Sequence, residues 1–299
     1  MASYSLGHSD HELDRLTLQA RLVGPMTRRF FQEAGMVSGM RVLDVGSGAG
    51  DVAFLAADLV GETGEVIGVD RSAAAIATAT KRATTMSRRN VSFHEGDPAA
   101  MTFDRRFDAV VGRYVLLWQP DPARMLRRLI THVRPGGVVV FHEPDFDGER
   151  SSPAVPTYDR CCHWVREVLR LTGVHAHMGV GLHSTFVSAG LPAPSIRLEA
   201  LVAGEAEVSD HVRFKTDLVC TLAPEIERLG IATAAEIDVA TLADRVRAEV
   251  IAAGSVIVGR GEVGAWSRVG RDDQERSVSA SDRSSAGCNT SAPSRGIHP

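Results

Sequence analysis

In the stretch Val42-Leu43-Asp44-Val45-Gly46-Ser47-Gly48-Ala49-Gly50-Asp51, an apolar run passes directly into three alternating glycines. This pattern constrains the fold more than any other in the chain. It reads as a buried strand, a tight loop and a helix start, the opening of a βαβ unit. A side chain at Gly46 or Gly48 would collide with a ligand lying over the strand end. The helix that follows aims its free N–H groups at the same place.

The alternation continues downstream. Segments 41–45, 65–70, 91–95, 107–112 and 138–142 read as strands, and 51–60, 73–87 and 122–133 as helices between them. Gly61 stops the first of these helices, Ser72 caps the second, and Asp121 with Pro122 starts the third. Arg134-Pro135-Gly136-Gly137 reads as a turn into the fifth strand. Apolar strands at this spacing predict an α/β, doubly wound, mostly parallel sheet covered on both faces. Ahead of it, 8–36 reads as one or two amphipathic helices, with Leu13, Leu16, Leu18, Leu22 and Val23 as the stripe and Pro25 as a break. Behind it come helical segments 158–171 and 181–189, a strand 195–202 and a helix-rich block 208–254. Two strands, 256–258 and 262–269, with a turn at 259–261 close the fold. Residues 271–299 are rich in serine and charge and are expected to be disordered.

The loop admits three readings. A phosphate-binding P-loop needs Lys and Ser or Thr after its last glycine, and Asp51 stands there instead. A dinucleotide loop wants a further glycine, and Asp51 would repel a pyrophosphate. S-adenosylmethionine carries an ammonium, a sulfonium and no phosphate, so it suits a loop flanked by Asp44 and Asp51. Asp70 ends the second strand, 20 residues after Gly50, where a carboxylate accepts both ribose hydroxyls. Asp97, after the third strand, is placed to accept from the adenine amino group. Ligands of open parallel sheets lie at these carboxyl ends.

On these residues the chain resembles the class I S-adenosylmethionine-dependent methyltransferases, from about Met40 to Asp145. The resemblance rests on Leu43 to Gly50, Val69-Asp70, Gly96-Asp97, Phe107-Asp108-Ala109-Val110-Val111, and Leu129 to Gly137. It implies a Rossmann-like, seven-stranded methyltransferase fold with N-terminal helices, and a reversed last strand at Val263-Gly264-Ala265-Trp266-Ser267-Arg268. It further implies that Asp44, Gly46, Ser47, Gly48 and Gly50 hold the methionine part, Asp70 with Arg71 the ribose, and Asp97 with Pro98 the adenine. Arg113 and Tyr114, ending the fourth strand, fall at the methionine end. Residues 1–36 are expected as a helical lid, 37–270 as the catalytic domain, and about 208–254 as a helical insertion.

The resemblance is weakest where an acceptor would bind. The formal charge of −4 offers no basic field for nucleic acid. A helical lid suits a small organic acceptor, and likeness to bacterial tailoring methyltransferases points to a secondary-metabolite hydroxyl, with nitrogen, carbon or a non-methyl reaction such as cyclisation as alternatives. His142, at the end of the fifth strand, is the candidate base, ahead of His163, His175, His177 and His183. Glu143, Asp145, Asp147 and Glu149 form an acidic run read as a solvated loop, so no metal is expected. The four cysteines, Cys161, Cys162, Cys220 and Cys288, form no C-x-x-C pair. No stretch approaches the ~20 apolar residues of a membrane span, and no secretory signal opens the chain. A cytoplasmic protein is expected. Lys81 and Lys215 are the only lysines beside 31 arginines, a skew that fits a GC-rich bacterial genome.

Overall fold

The computed structural model describes residues 10–205 and 208–270. The expectations for 1–9 and for the tail 271–299 lie outside the described residues. The sheet is built from β1 (Arg41–Val45), β2 (Glu65–Asp70), β3 (Val91–Glu95), β4 (Phe107–Arg113) and β5 (Val133–Asp145), followed by β6 (Arg150–Ser152), β7 (Ser195–Ala203) and β8 (Val256–Arg268). The order is β3-β2-β1-β4-β5-β8, with β7 on the outer edge of β8. The first five strands are mutually parallel and β8 runs against β5. This is the expected Rossmann-like seven-stranded methyltransferase sheet, with the short β6 added beside β8.

The helices follow their caps. Helix α2 (Asp51–Val60) ends where the Gly61 N–H turns back to Ala57. Ser72 accepts from Ala75 at the start of α3 (Ala73–Thr85), and Asp121 accepts from Arg124 at the start of α4 (Pro122–Ile130). One face of the sheet packs Phe31, Val52, Ala56 and Val60 against Val42 and Val140. The other packs Leu126, Leu129, Leu182 and Phe186 against Val110, Val139 and Phe141.

Three expectations change. Helix α1 (Asp10–Glu33) is the single helix of the two alternatives, and Pro25 makes no break in it. Val23, Met26, Thr27 and Phe30 recur at helical spacing and are buried, while Pro25 faces outward, so packing outweighs one missing backbone bond. The segment 134–137 lies within β5, where a register shift against β4 between Phe107 and Ala109 absorbs it. The turn at 259–261 is absent: β8 is continuous, because Gly261 pairs with Asp145 on one edge and Ala200 on the other.

The helical block is larger than the sequence indicated. Helix α5 (Pro156–Thr172) packs with α7 (Val208–Arg228), α8 (Ala234–Ile237) and α9 (Leu242–Ala252) around a core of their own, including Tyr158, Trp164, Val219, Ile226 and Val246. Helix α6 (Met178–Ser188) instead joins the sheet core. No helix among the described residues is long and apolar enough to cross a membrane.

Candidate cofactor and acceptor site

The glycine loop sits at the carboxyl end of β1, in the middle of the sheet. Gly46, Gly48 and Gly50 all have positive φ, at 64°, 51° and 93°, a region closed to most side chains. They differ in surroundings. A Cβ on Gly46 would meet Val115 at 2.8 Å, and one on Gly50 would meet Phe93 and Phe54. A Cβ on Gly48 would meet nothing within 4 Å. Protein packing therefore dictates glycine at two positions, and open space for a ligand lies at the third.

Asp44 is the fourth of the five residues of β1, wholly buried, with no hydrogen-bond partner for either carboxylate oxygen. Burial pushes its carboxyl well above the usual range, and the nearby Arg113 guanidinium only partly opposes this. The Ser47 hydroxyl is also buried and unpartnered. Unmade bonds of this kind are costly in a finished core, and together they mark a place prepared for a ligand with donor groups. A cationic ammonium is the group that a desolvated carboxylate stabilises best.

The other expected residues line the same edge. One oxygen of Asp70 accepts from Gly48 N at 2.9 Å and the other from Ser72 N at 2.9 Å. The carboxylate is thus fixed with lone pairs left over. Asp97 accepts from Ala99 N at 3.0 Å and pairs with Arg71 at 2.7 Å. Pro98 is buried, its carbonyl 3.2 Å from His132 Nε2. Asp51 pairs with Arg82 at 2.7 Å, so its charge is spent within the protein. The case against a phosphate ligand rests on Asp44.

At the ends of β4 and β5 the structure assembles a polar hub that spacing alone did not reveal. His142 is fully buried, with Nδ1 3.0 Å from Thr27 Oγ1 of α1 and Nε2 2.9 Å from Glu262 Oε2 of β8. Glu262 also accepts from the Tyr114 hydroxyl at 2.6 Å and from Arg260 Nε at 3.0 Å. Burial works to raise the Glu262 carboxyl, but Arg260, His142 and Tyr114 hold it down at about 2. An ionised Glu262 accepts from Nε2, which assigns Nδ1 as the acceptor of the Thr27 proton. Arg113 donates to the same Thr27 hydroxyl at 3.2 Å. Tyr114 holds φ of 59°, a strained setting for a bulky residue at a strand end.

His142, the candidate base, lies in the interior. Both ring nitrogens are engaged, Phe30 packs edge-on at 4.9 Å, and burial lowers its basicity. It ties α1 to β5 and β8. His163, His175, His177 and His183 are exposed on the surface. The acidic run disperses: Glu143 is buried and accepts from the backbone N–H groups of Val115, Leu116 and Leu117, while Glu149 pairs with Lys215. Asp145 and Asp147 lie close to His177, and Asp145 is already engaged by backbone N–H groups of Asp147 and Val180. Cys161 and Cys162 are buried, their thiols pushed up to about 12 by burial. Tyr158 and Trp164 fill the lid core and Trp118 is exposed.

Comparison with known proteins agrees with this geometry. Residues 36–171 match a family model described as a methyltransferase domain. Aklanonic acid methyltransferase DauC of a Streptomyces species is 37% identical over 139 residues, 46% of this chain and 62% of that protein. A 2-phytyl-1,4-naphthoquinone methyltransferase of Synechococcus elongatus is 40% identical over 111 residues, 36% of this chain and 48% of that one. The chain thus spans about a third to three fifths of the length of the curated relatives it matches. A Haemonchus contortus phosphoethanolamine N-methyltransferase bound to S-adenosylhomocysteine shares the fold at a TM-score of 0.54 and 16% identity, covering 86% of this chain and 57% of that one. The matched region is a class I S-adenosylmethionine-dependent methyltransferase domain, and S-adenosylmethionine is its cofactor.

Proposed function

We propose that this class I methyltransferase moves the methyl group of S-adenosylmethionine to a hydroxyl of a small apolar organic molecule. The observation that carries the proposal is the buried, unpartnered Asp44 carboxylate in the strand that leads into the glycine loop, where a side chain on Gly48 would meet open space. The relatives named for aklanonic acid and for naphthoquinones support an acceptor of modest size. When bound, the cofactor supplies a sulfonium-activated methyl group open to in-line displacement.

The chain's own residues then have these roles. Asp44 accepts from the ammonium and Arg113 faces the carboxylate of the methionine part, with Ser47 and the glycines lining the loop. Asp70 takes the ribose hydroxyls, Arg71 braces Asp97, and Asp97 with Pro98 meets the adenine. Tyr114, locked by Glu262, borders the acceptor side. His142, held neutral, links Thr27 to Glu262 and keeps α1 over the strand ends. The reaction needs positioning and exclusion of water more than a strong base.

The test is calorimetry with S-adenosylmethionine and, separately, NAD, followed by mass spectrometry of incubations with hydroxylated aromatic acceptors. Micromolar binding of the first and an O-methylated product formed with S-adenosylhomocysteine are expected. Binding of NAD alone would overturn the proposal at the cofactor, and a methyl group found on nitrogen or carbon would overturn it at the acceptor.

A further inference from the structure

Arg113 closes β4 with a half-buried guanidinium that forms no ion pair among the described residues. Its Nη1 donates to Thr27 Oγ1 at 3.2 Å, and its carbon centre lies 5.7 Å from the Tyr114 ring. Its charge acts on Asp44, whose own oxygens have no hydrogen-bond partner. An acid and a cation that feel each other without touching suit a group that carries both charges. The methionine end of S-adenosylmethionine, with its ammonium and its carboxylate, is such a group.

What holds Arg113 comes from remote elements. Thr27 is wholly buried on α1, and its hydroxyl has one proton to give. Two acceptors compete for it: His142 Nδ1 at 3.0 Å and the Val23 carbonyl, one turn back, at 3.3 Å. Nε2 of His142 is committed as a donor to Glu262 at 2.9 Å, so Nδ1 is left as a bare acceptor and takes the proton. The lone pairs of Thr27 Oγ1 then serve Arg113. Every link points one way: Arg113 donates to Thr27, Thr27 to His142, and His142 to Glu262. A cation stands at one end and a carboxylate at the other, so the bonds along the chain polarise one another. An arginine left free samples many rotamers, and ordering it only on binding would subtract from cofactor affinity.

We infer that Thr27 is a positioning residue for the cofactor: backed by His142 and Glu262, it fixes the Arg113 guanidinium where the carboxylate of S-adenosylmethionine docks. The docking of α1 and the capture of the methionine end are thereby coupled, each favouring the other. The inference rests on the placement of Arg113 at that carboxylate under the proposed function.

The test is calorimetry of the full chain with S-adenosylmethionine, with its decarboxylated form, which keeps the ammonium, and with methylthioadenosine, which lacks the whole amino-acid end. Thr27→Val keeps the shape and loses the hydroxyl. It is expected to weaken S-adenosylmethionine about tenfold or more, through loss of the anchor for a charge-assisted contact, and to leave the other two within about twofold. Thr27→Ser, which restores the hydroxyl, is expected to bind all three nearly as the parent chain does. Thr27→Ala, favourable within a helix, carries the comparison if the valine variant does not fold. A loss shared by the decarboxylated ligand or by all three would reduce Thr27 to a packing role and overturn the inference, as would unchanged affinity for S-adenosylmethionine. If the parent chain binds the decarboxylated form as tightly as S-adenosylmethionine, Arg113 does not meet the carboxylate, and that placement fails together with the inference. A preference for the carboxylate that survives Thr27→Val sinks the inference alone.

Discussion

The cofactor edge and the lid solve the same problem, placing polar groups away from water, by different routes. At the cofactor edge the partners are near in sequence: Asp70 and Gly48 are 22 positions apart, and Arg71 and Asp97 are 26 apart. Each lies at the end of one strand or the start of the next helix. Around β8 and the helical block the partners are remote: Glu149 and Lys215 are 66 apart, His142 and Glu262 are 120 apart, and Tyr114 and Glu262 are 148 apart. The first kind of site travels with a motif. The second exists only once the chain has closed on itself, so it can differ between proteins that share the motif.

This contrast can be broken or sharpened by substitution. The largest effect is expected at the lid. Lys215→Met leaves the buried Glu149 carboxylate unpaired and should cost about 3–5 kcal/mol in stability by chemical denaturation. The double variant Lys215→Met with Glu149→Leu should recover most of that loss, since a well-packed apolar pair is often neutral. No recovery would show that the pair itself, and not the stranded charge, holds the lid. Next, Gly48→Val at the cofactor edge should weaken S-adenosylmethionine binding by roughly a hundredfold or more, because the added methyl groups fill the open face of the loop. Normal calorimetric affinity would mean that the loop does not approach the ligand.

Asp70→Ala should cost about 1–3 kcal/mol of cofactor affinity, through loss of charge-assisted hydrogen bonds. Unchanged binding would remove Asp70 from the site. Glu143 lies between the two regions and provides a pH test. Burial raises its carboxyl from an ordinary 4.5 to about 8, against the pull of three backbone N–H groups. A carboxyl raised on folding contributes most below its unfolded value and loses that contribution as pH rises through its folded value. Stability should therefore decline from about pH 4.5 to about pH 8, and Glu143→Gln should flatten the profile measured across that window; an identical slope in the variant would exclude Glu143 as its source. The smallest effect is expected from Arg71→Ala, whose exposed pair with Asp97 is worth about 0–1 kcal/mol to stability. A larger fall in melting temperature would show that the pair braces β3 rather than the ligand mouth.

The cofactor edge was legible before any coordinates because its logic is local. Apolar runs, glycines and strand-end acids at set spacing place Asp44, Gly48, Asp70 and Asp97 together in any right-handed βαβ series. Less legible was the reason for each residue. Gly46 and Gly50 answer to Val115, Phe54 and Phe93 across the sheet, and Asp51 answers to Arg82. No spacing rule contains those partners. His142 showed itself as a histidine at a strand end, but not as a buried link between Thr27 and Glu262. Arg260 stood in what read as a turn and gave no signal, since its environment is made by Tyr114, Phe146 and Phe214 from separate elements.

Read along the chain, periodicity and turn chemistry were enough for the parallel sheet and its strand ends, because backbone geometry converts short-range pattern directly into position. The single course of α1 through Pro25, the unbroken β8, the packing of α5 with α7 and α9, and the buried pairs Arg260–Glu262 and Lys215–Glu149 were decided by packing. Each balances a local preference against burial supplied by residues tens or hundreds of positions away, and such a balance has no local pattern to read.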